Sequence, residues 1–302
     1  MAGDRVGILR DGGPMLAVTT ESTADILPLQ LGYSGIQLLP VPLGHQGRVY
    51  SERELPPDQL VNLIRATGEP ARTLPVPDEA VARTFEAALQ SSRSGRLVHV
   101  ASGSRFTPHH EVAARVAERF GGRVQVIDGG TVSYALGVQA LHAAHLADQG
   151  ADSGQIGSAL SELRERTLLT FAVESLDFLR VNGRIGNVAA FIGNWLGLRP
   201  VLAVEAGEVV NKSRVRGQDA AVRTLLSATH QFQRQTGETL RLYCGHTIGG
   251  EGGAGQLQAQ LQAVYGNPPA PLHPLGSGLT ANVGPGTVAV LAFPRRFGLG
   301  YA

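Results

Sequence analysis

The residues whose types and spacing most suggest a ligand site lie between positions 176 and 203. An apolar run that predicts a strand ends at Glu174-Ser175, and Arg184 follows an Asn182-Gly183 turn. Residues 188–196 are then apolar on nearly every side, which is typical of a helix in an interior or around an apolar cavity. An arginine at the mouth of such a segment suits an amphiphile with a charged head group. A core helix with a salt-bridging arginine explains the same residues, and both interpretations stay open.

Other motifs give weaker signals for chemistry. Residues 250–255 match G-x-G-x-x-G, but no acidic residue follows Glu251, so the ribose-binding acid of a dinucleotide site is missing. A flexible glycine loop is the favoured interpretation. His142 and His145 lie one helical turn apart without a third metal ligand in a known spacing, and His109-His110 are interpreted as surface or half-buried histidines. We therefore predict no catalytic residues and no metal site.

The composition narrows the class of protein. A chain of 302 residues exceeds the usual size of one core and predicts two domains. Its net charge of +1 gives no electrostatic basis for binding nucleic acid. Lys212 is the only lysine, so no other position can supply the lysine of a P-loop or of a Schiff base. The single cysteine, Cys244, excludes internal disulfides. We expect no cofactor.

The sequence contains no signal for a membrane or for secretion. No apolar run reaches 18 residues, and residues 36–43 are too short and too proline-broken for a signal core. We therefore expect a cytoplasmic protein. Residues 1–14 are polar and contain glycine, which predicts a loose leader, and the start residue stays open between Met1 and Met15.

Strand and helix signals alternate through the first half. Buried strands are predicted at 15–19, 36–43, 97–101 and 124–127, and helices at 56–66, 78–90, 109–120 and 134–147. This alternation is typical of a mostly parallel sheet, whose ligands bind at the carboxyl ends of the strands. The loop that contains Ser22 therefore predicts a ligand contact or a helix cap, and the turn that begins Ser102-Gly103 could form an anion nest.

The second half mixes its elements differently. A helix is predicted from Ser153, a hairpin at 201–210, helices at 219–235 and 254–265, and strands at 240–244 and 287–293. The polar segment 148–153 is the weak linker signal between the halves. We therefore predict an N-terminal α/β domain with a mostly parallel sheet at 15–150 and a C-terminal mixed α/β domain at 151–302.

Six segments, in order along the chain, resemble motifs of the DegV family. Thr20–Asp25 resembles its T-D-S-T-A-D opening, Arg72–Pro75 its T-S-Q-P segment, and Ala101–Ser104 the start of its S-S-x-L-S-G-T loop. Val126–Asp128 resembles its V-I-D-S strand end, Leu176–Ile185 its L-x-Y-L-x-x-G-G-R-I signature, and Gly284–Gly286 the end of its H-x-G-P-G segment. The resemblance extends from residue 15 to about residue 294.

The resemblance implies a two-domain α/β protein that binds a long-chain fatty acid without catalysis of its own. The tail is expected in a tunnel of the C-terminal domain and the carboxylate at the interdomain cleft. An ATP-binding fatty-acid kinase subunit is implied as a partner, to which the carboxylate is presented for acyl-phosphate formation. Peripheral contact with a membrane would then serve lipid exchange.

The resemblance also assigns site residues, one by one. Thr73, Ser102 and Arg184 match head-group positions of the family. The remaining expected ligand contacts are Ser22, Gly103, Arg105 and Asn282 at the head group and Phe191, Ile192 and Trp195 along the tail.

The chain departs from the family pattern in the loop after Ser102, where Arg105-Phe106-Thr107 stands in place of the usual S-G-T, and at three single residues. Glu21 replaces an aspartate, Asn182 replaces the first glycine of G-G-R, and Asn282 stands where a histidine is expected. If that histidine serves phosphoryl transfer, its loss affects coupling to a kinase and leaves binding intact.

Two other classes of function stay open. Arg105 and Asn282 also suit an enzyme or sensor whose cleft is remodelled for a small polar ligand. A structural or regulatory protein that binds no ligand is consistent with the apolar 188–196 segment as a core helix.

Overall fold

A computed structural model describes residues 13–26, 36–185, 197–266 and 271–298. The strands are β1 (Ala17–Glu21), β2 (Ile36–Leu39), β3 (Leu43–His45), β4 (Arg48–Tyr50), β5 (Arg72–Thr73), β6 (Leu97–Ala101), β7 (Val124–Asp128), β8 (Leu168–Ala172), β9 (Leu198–Glu205), β10 (Glu208–Arg216), β11 (Leu240–His246), β12 (Leu272–Pro274) and β13 (Val288–Pro294). The α-helices are α1 (Pro57–Thr67), α2 (Asp78–Ser91), α3 (His109–Ala117), α4 (Ser133–Asp148), α5 (Ser153–Glu165), α6 (Asp177–Val181), α7 (Gln218–Thr236), α8 (Glu251–Tyr265) and α9 (Ser277–Val283).

The first compact unit is built on a parallel sheet. It contains the described residues up to Val41, Pro75–Glu165 and the residues from Arg296 onward. Its strand order is β2-β1-β6-β7, and every pair is parallel, as the sequence predicts. Helices α2 and α3 pack through Phe85 and Val116 in a core shared with strand residues such as Leu97. The parallel pairing brings the carboxyl ends of β1, β6 and β7 to one edge of the sheet.

Helix α4 of this unit is buried almost all round. Of its polar side chains, Gln139 and His142 are buried together with the apolar ones. Helix α5 packs beside α4 through Ile156, Leu160 and Leu163, each no more than 2% exposed. Such a helix occurs where protein surrounds it on most sides.

The second compact unit is built on a mixed six-stranded sheet. It contains Pro42–Leu74 and Arg166–Arg295. Its order is β10-β9-β8-β13-β11-β12, in which only the edge pair β11–β12 is parallel. The predicted hairpin is present as β9–β10. Helices α7 and α8 cover one face of this sheet. Leu225 of α7 and Leu257 of α8 share a core there with Val288 and Val290 of β13.

A small three-stranded sheet, β4-β3-β5, also belongs to the second unit. Leu43, Leu60 and Ile64 pack there with Ala281 of α9 and Phe178 of α6. The single strand predicted at 36–43 is therefore wrong as one element. Pro40 and Pro42 lack backbone N–H groups and separate β2 of the first unit from β3 of the second.

The division into units differs from the single boundary predicted near residue 150. Gly150, at φ +88°, lies in the turn between α4 and α5, and α5 belongs to the first unit because its apolar face packs on α4. The chain passes to the second unit after Val41, returns at Pro75, leaves again after Glu165 and returns at Arg296. Hydrophobic periodicity identifies α5 as a helix but does not show which neighbour it packs against.

Among the described helices, none is both long enough and apolar enough to cross a membrane.

Candidate functional site

The carboxyl ends of β1 and β6 meet around one buried carboxylate in the first unit. Glu21 is the last residue of β1 and is 0% exposed. Its Oε1 accepts the N–H of Ser102 at 2.8 Å, and its Oε2 accepts the Ser102 hydroxyl at 2.5 Å. Nδ1 of His109 lies 3.0 Å from Oε2, and Thr23 Oγ1 donates to the same oxygen at 3.2 Å. Four donors therefore surround Glu21.

These donors keep Glu21 ionised despite its burial. Burial by itself raises the pKa of a carboxyl group, but the hydrogen bond and charge of His109 and the bond from Ser102 outweigh it. The pKa of Glu21 is consequently lowered to about 2. A buried carboxylate needs a counter-charge, and His109, at the start of α3, is placed to supply it.

His109 is therefore buried against Glu21, and the prediction of a surface or half-buried histidine is wrong for it. It is 4% exposed. One feature of the sequence could have indicated this burial: His109 begins a helix seven residues after Ser102, which itself follows a buried strand. That signal is ambiguous because the partner, Glu21, is 88 residues away in sequence.

A second histidine lies beneath this cluster. His99 of β6 is fully buried, and its Nδ1 is 2.9 Å from Thr19 Oγ1 on the neighbouring strand β1. Burial lowers the pKa of His99 to about 4, against the opposing charge of Glu21. His99 is therefore neutral in the folded protein near neutral pH.

The loops after β6 and β7 are joined through Asp128. Its carboxylate accepts the N–H and hydroxyl of Ser104, at 3.1 and 2.6 Å, and the N–H of Gly130 at 2.8 Å. A Cβ on Gly103 would lie 2.9 Å from the backbone carbon of Gly130. Gly103 is thus required for close packing of the two loops. Arg105, in the same turn, is exposed.

Ser22 and Asp25 hold the loop after β1 in place. Ser22 Oγ accepts the N–H of Val41 at 3.0 Å. Asp25, at φ +50°, accepts the hydroxyl of Ser133 at 2.9 Å, and Ser133 itself starts α4 at φ +58°. Left-handed backbone at two non-glycine residues joined by one hydrogen bond is strained, and such strain is concentrated at functional sites.

In the second unit, Asn182 connects three segments. Its Nδ2 lies 3.1, 3.0 and 3.0 Å from the carbonyl oxygens of Ala71, Phe178 and Ala281. Its Oδ1 accepts the N–H of Thr73 at 3.3 Å. Asn182 is 6% exposed. The residue that replaces a family glycine therefore fixes the backbone of Thr73 beside the end of α6.

Arg184 follows immediately. Its N–H donates to the carbonyl of Leu179 at 2.7 Å, and its guanidinium donates to the carbonyl of Asn182. The side chain is half-buried, and burial lowers the pKa of the guanidinium. An arginine stays charged in proteins even so. Thr73 and Arg184 are thus both attached to Asn182.

Asn282 is the second-to-last residue of α9. Its Nδ2 donates to the carbonyl of Gly278 at 2.7 Å. Its Oδ1 is buried and has no hydrogen-bond partner among the residues that the structure describes. Asn282 therefore offers an unpaired acceptor.

The glycines of the Gly284-Pro285-Gly286 turn are required by their neighbours. Both have positive φ, +78° and +73°. A Cβ on Gly284 would overlap the ring of Phe178, and one on Gly286 would overlap the carboxylate of Glu174. Arg199 holds that carboxylate at 2.7 Å and donates to the Gly286 carbonyl at 3.1 Å. The family-like motifs Leu176–Ile185 and Gly284–Gly286 therefore pack on each other.

The glycine-rich stretch at 250–255 is not a loop. Glu251 begins α8, and Gly253 lies against Val288, to which a Cβ would come within 2.9 Å. The flexible loop predicted there is wrong, because these glycines allow close helix–sheet packing. Within the described ranges, no three potential metal ligands of the His, Cys, Asp or Glu type come together.

The predicted site residues thus fall into two groups. Ser22, Ser102, Gly103 and Arg105 belong to the loops of the first unit, and Thr73, Arg184 and Asn282 belong to the second unit. Phe191, Ile192 and Trp195 lie outside the described residues.

Comparison with known proteins gives consistent matches over nearly the whole chain. A family model described as an uncharacterised protein of the DegV family matches residues 15–295. A DegV domain-containing protein of Deinococcus radiodurans is 89% identical over 288 residues, which are 95% of this chain and 100% of that protein.

Solved structures share the fold. A structure described as the fatty acid binding of a DegV family protein from Thermus thermophilus has a TM-score of 0.85 at 26% identity, covering 93% of this chain and 99% of that chain. A DegV family protein from Eubacterium eligens loaded with heptadecanoic acid has a TM-score of 0.78 at 16% identity, covering 93% and 100%. These likenesses confirm the predicted α/β architecture. On the family model and the 89% identical relative, the chain belongs to the DegV family.

Proposed function

We propose that this protein binds a long-chain fatty acid and carries out no catalysis of its own. The observation that carries the proposal is Arg184, a half-buried guanidinium bonded to the carbonyl of Asn182, whose side chain also accepts the N–H of Thr73. The fatty acid binding described for the 26% identical Thermus thermophilus protein supports the same function.

The head group is a carboxylate held mainly by the second unit. Arg184 supplies a charge-assisted hydrogen bond, and the Thr73 hydroxyl supplies a second donor. Rotation of the Asn282 amide, whose Nδ2 donates to the carbonyl of Gly278, would turn that N–H group toward the head group as a further donor. Ser22, Ser102, Gly103 and Arg105 form the part of the site that the first unit provides.

The tail lies against the apolar face of the second sheet, which we define as the face opposite α7 and α8. The residues of this face are paired across neighbouring strands: Phe171 with Leu202, and Leu291 with both Leu169 and Tyr243. Tyr243 and Phe293 stack with ring centroids 6.0 Å apart. Phe191, Ile192 and Trp195, which lie outside the described residues, stay expected contacts of the tail.

Magnitudes separate the roles of tail and head. Burying about 15 methylenes contributes roughly 12 kcal/mol at ~0.8 kcal/mol each. Association costs about 4–15 kcal/mol, and each charge-assisted head contact contributes about 1.5–3 kcal/mol. The tail therefore supplies most of the attraction, and the head group fixes orientation and makes the net free energy favourable.

The proposal includes a partner. An ATP-binding fatty-acid kinase subunit would phosphorylate the presented carboxylate, and peripheral membrane contact would load the lipid. Because Asn282 replaces the family histidine, binding and kinase coupling are separate predictions. Coupling is measured as ATP-dependent acyl phosphate trapped with hydroxylamine from the loaded protein and the kinase subunit.

The first test of binding is native mass spectrometry of the purified protein, with mass analysis of whatever is released on denaturation. A C14–C18 fatty acid is expected. A small polar metabolite in its place would favour the enzyme or sensor alternative. A protein that is purified without a ligand and does not bind added fatty acid would contradict the proposal.

Arg184→Ala tests the head-group assignment. We expect fatty-acid affinity to fall at least several-fold, since a charge-assisted bond contributes about 1.5–3 kcal/mol. Arg180→Ala is the matched control, because Arg180 is exposed on α6 and pairs with Asp177 at 3.2 Å. Equal affinities of the two variants would remove Arg184 from the site.

A further inference from the structure

Strand β10 forms one edge of the six-stranded sheet in the second unit. It is nine residues long, and β9 is its only neighbour among the described strands. The opposite edge strand, β12, has three residues and ends at Pro274. A long edge strand presents unpaired N–H and C=O groups, which are a template for pairing with another chain. The outer side of β10 is therefore where a further strand could be added to this sheet.

The hairpin fixes which backbone groups of β10 point away from β9. Residues 206–207 form its two-residue turn, and φ is positive at both, +49° and +79°. Glu205 and Glu208 flank this turn and are directly paired, and hydrogen-bonded and non-hydrogen-bonded pairs alternate from there along the strands. The N–H and C=O groups of Val209 and Asn211 consequently point outward.

One residue interrupts this alternation in the middle of the strand. Asn211 pairs with Leu202 and Ser213 pairs with Val201, so Lys212 is an extra residue without a counterpart on β9. Such a bulge bends the strand and increases its twist. The outward groups of β10 resume after a gap of three residues instead of two. A strand of regular spacing therefore cannot follow the edge along its whole length.

The extra residue also carries a charge. Lys212 is the only lysine among 26 basic residues, its side chain is 47% exposed, and its ammonium lies 2.7 Å from Oε1 of Glu205. It is the central residue of β10, so antiparallel pairing of two β10 edges would bring two Lys212 side chains together. Like charges placed opposite each other oppose pairing, and an ammonium is strongly hydrated. Arg214 and Arg216 are exposed as well, so β10 carries three cations against the single acid Glu208.

We propose that Lys212 keeps the outer edge of β10 from pairing with a second copy of this chain: the extra residue disturbs the register of the edge, and its charge opposes the symmetric pair. Without it, β10 would be a regular strand one residue shorter. Asn211 and Ser213 already pair with adjacent residues of β9, so every other side chain would keep its face of the sheet. The inference concerns assembly and does not depend on a bound lipid.

The experiment deletes this one residue from the full-length protein. The mass in solution is measured by size-exclusion chromatography with light scattering over a range of protein concentrations. We expect the wild type to stay monomeric and the Lys212 deletion to reach twice that mass as the concentration rises. Lys212→Arg is the matched control and should stay monomeric, because it retains both the extra residue and the charge.

A second substitution locates the new contact. Arg214 pairs with Pro200, whose carbonyl accepts the N–H of Val173 on the far side of β9, so the N–H of Arg214 points outward. Proline is tolerated on an edge strand where the N–H faces outward, and it cannot donate to an added strand. Arg214→Pro in the deletion background should therefore restore the monomer.

Other outcomes contradict the inference. A deletion variant that stays monomeric at every concentration, or that dimerises equally well with Arg214→Pro, would show that β10 is not the surface involved. A wild-type dimer that Arg214→Pro dissociates would show that Lys212 does not prevent pairing. If the deletion variant fails to fold, Lys212→Val decides by itself. It retains the bulge without the charge and should dimerise at high concentration, whereas a monomer would overturn the inference.

Discussion

At the scale of single residues, two departures from the family pattern carry structural roles. Glu21 is the buried carboxylate around which Ser102, Thr23 and His109 are arranged. Asn182 joins Thr73 to α6 and α9. Both were noticed in the sequence as substitutions, but most of their partners are 81 to 111 residues away and could not be named.

Removing the Asn182 amide should destabilise the protein. Asn182→Ala leaves the N–H of Thr73 and the carbonyls of Ala71 and Ala281 without that partner, and each buried unpaired group costs about 1–3 kcal/mol. We expect the free energy of unfolding to fall by about 2–4 kcal/mol in urea titrations. Asn62→Ala, on the exposed side of α1, is the control and should change it by less than about 0.5 kcal/mol. Equal stability of the two variants would contradict the role of Asn182.

The buried histidine predicts a loss of stability in mild acid. The folded-state pKa of His99 is about 4, below the ordinary 6.5, so the unfolded chain binds the extra proton first. The stabilisation from neutral His99 is complete above pH 6.5 and is lost as pH falls toward 4. The difference between the two pKa values of His99 corresponds to on the order of 3 kcal/mol in the free energy of unfolding. Glu21, with its pKa of about 2, adds a further loss as pH falls from 4.5 toward 2.

His99→Asn isolates this contribution. The shorter amide keeps a polar atom near Thr19 but does not titrate, so the free energy of unfolding should vary less between pH 6.5 and 4 than in the wild type. The charged and titratable groups that act on His99 are Glu21, His109 and His110. His110→Asn removes the smallest of these contributions and should retain most of the wild-type dependence on pH. A parallel pH profile for His99→Asn and wild type would refute the assignment.

At the scale of elements, the contacts of short segments determine how the second unit is assembled. Helix α6 and the Gly284-Pro285-Gly286 turn are far apart in sequence, yet Phe178 occupies the space that a side chain at Gly284 would need. Helix α9 is anchored by Ser277 Oγ, which donates to the carbonyl of Leu55 at 2.6 Å, and by Gly278 N–H, which donates to Glu52 at 2.8 Å. These elements have five to seven residues and little periodicity, so they were not predicted as helices.

A pair of glycine substitutions tests the contact between α6 and the turn. Gly284→Ala forces a methyl group into the Phe178 ring at φ +78°, and overpacking of this kind costs about 1–3 kcal/mol, with the unfavourable backbone adding to it. Gly255→Ala, within α8, meets no atom within 4 Å and should raise stability by up to about 1 kcal/mol. Opposite signs of the change in the free energy of unfolding are expected. Destabilisation of both to the same extent would remove the contact as the cause.

At the scale of the whole molecule, periodicity predicted the long elements and not their assignment to units. Strands β1, β6 and β7 and helices α2, α4, α7 and α8 lie within a few residues of their predicted positions, because each has a sustained apolar pattern. Pro42–Leu74 was placed in the first domain because it follows β2 in sequence, whereas its core partner Ala281 lies more than 200 residues further on. Burial depends on such distant partners, and a single sequence does not state them.

The alternation of the chain between the two units has a consequence for its biosynthesis. As the protein emerges from the ribosome, Pro42–Leu74 leaves the exit tunnel long before α9, so Leu43, Leu60 and Ile64 have no Ala281 to pack against until translation is nearly complete. The parallel sheet, whose last strand ends at Asp128, can assemble much earlier. A nascent chain stalled after Glu165 would therefore carry a nearly finished N-terminal body with a protease-sensitive segment protruding from it.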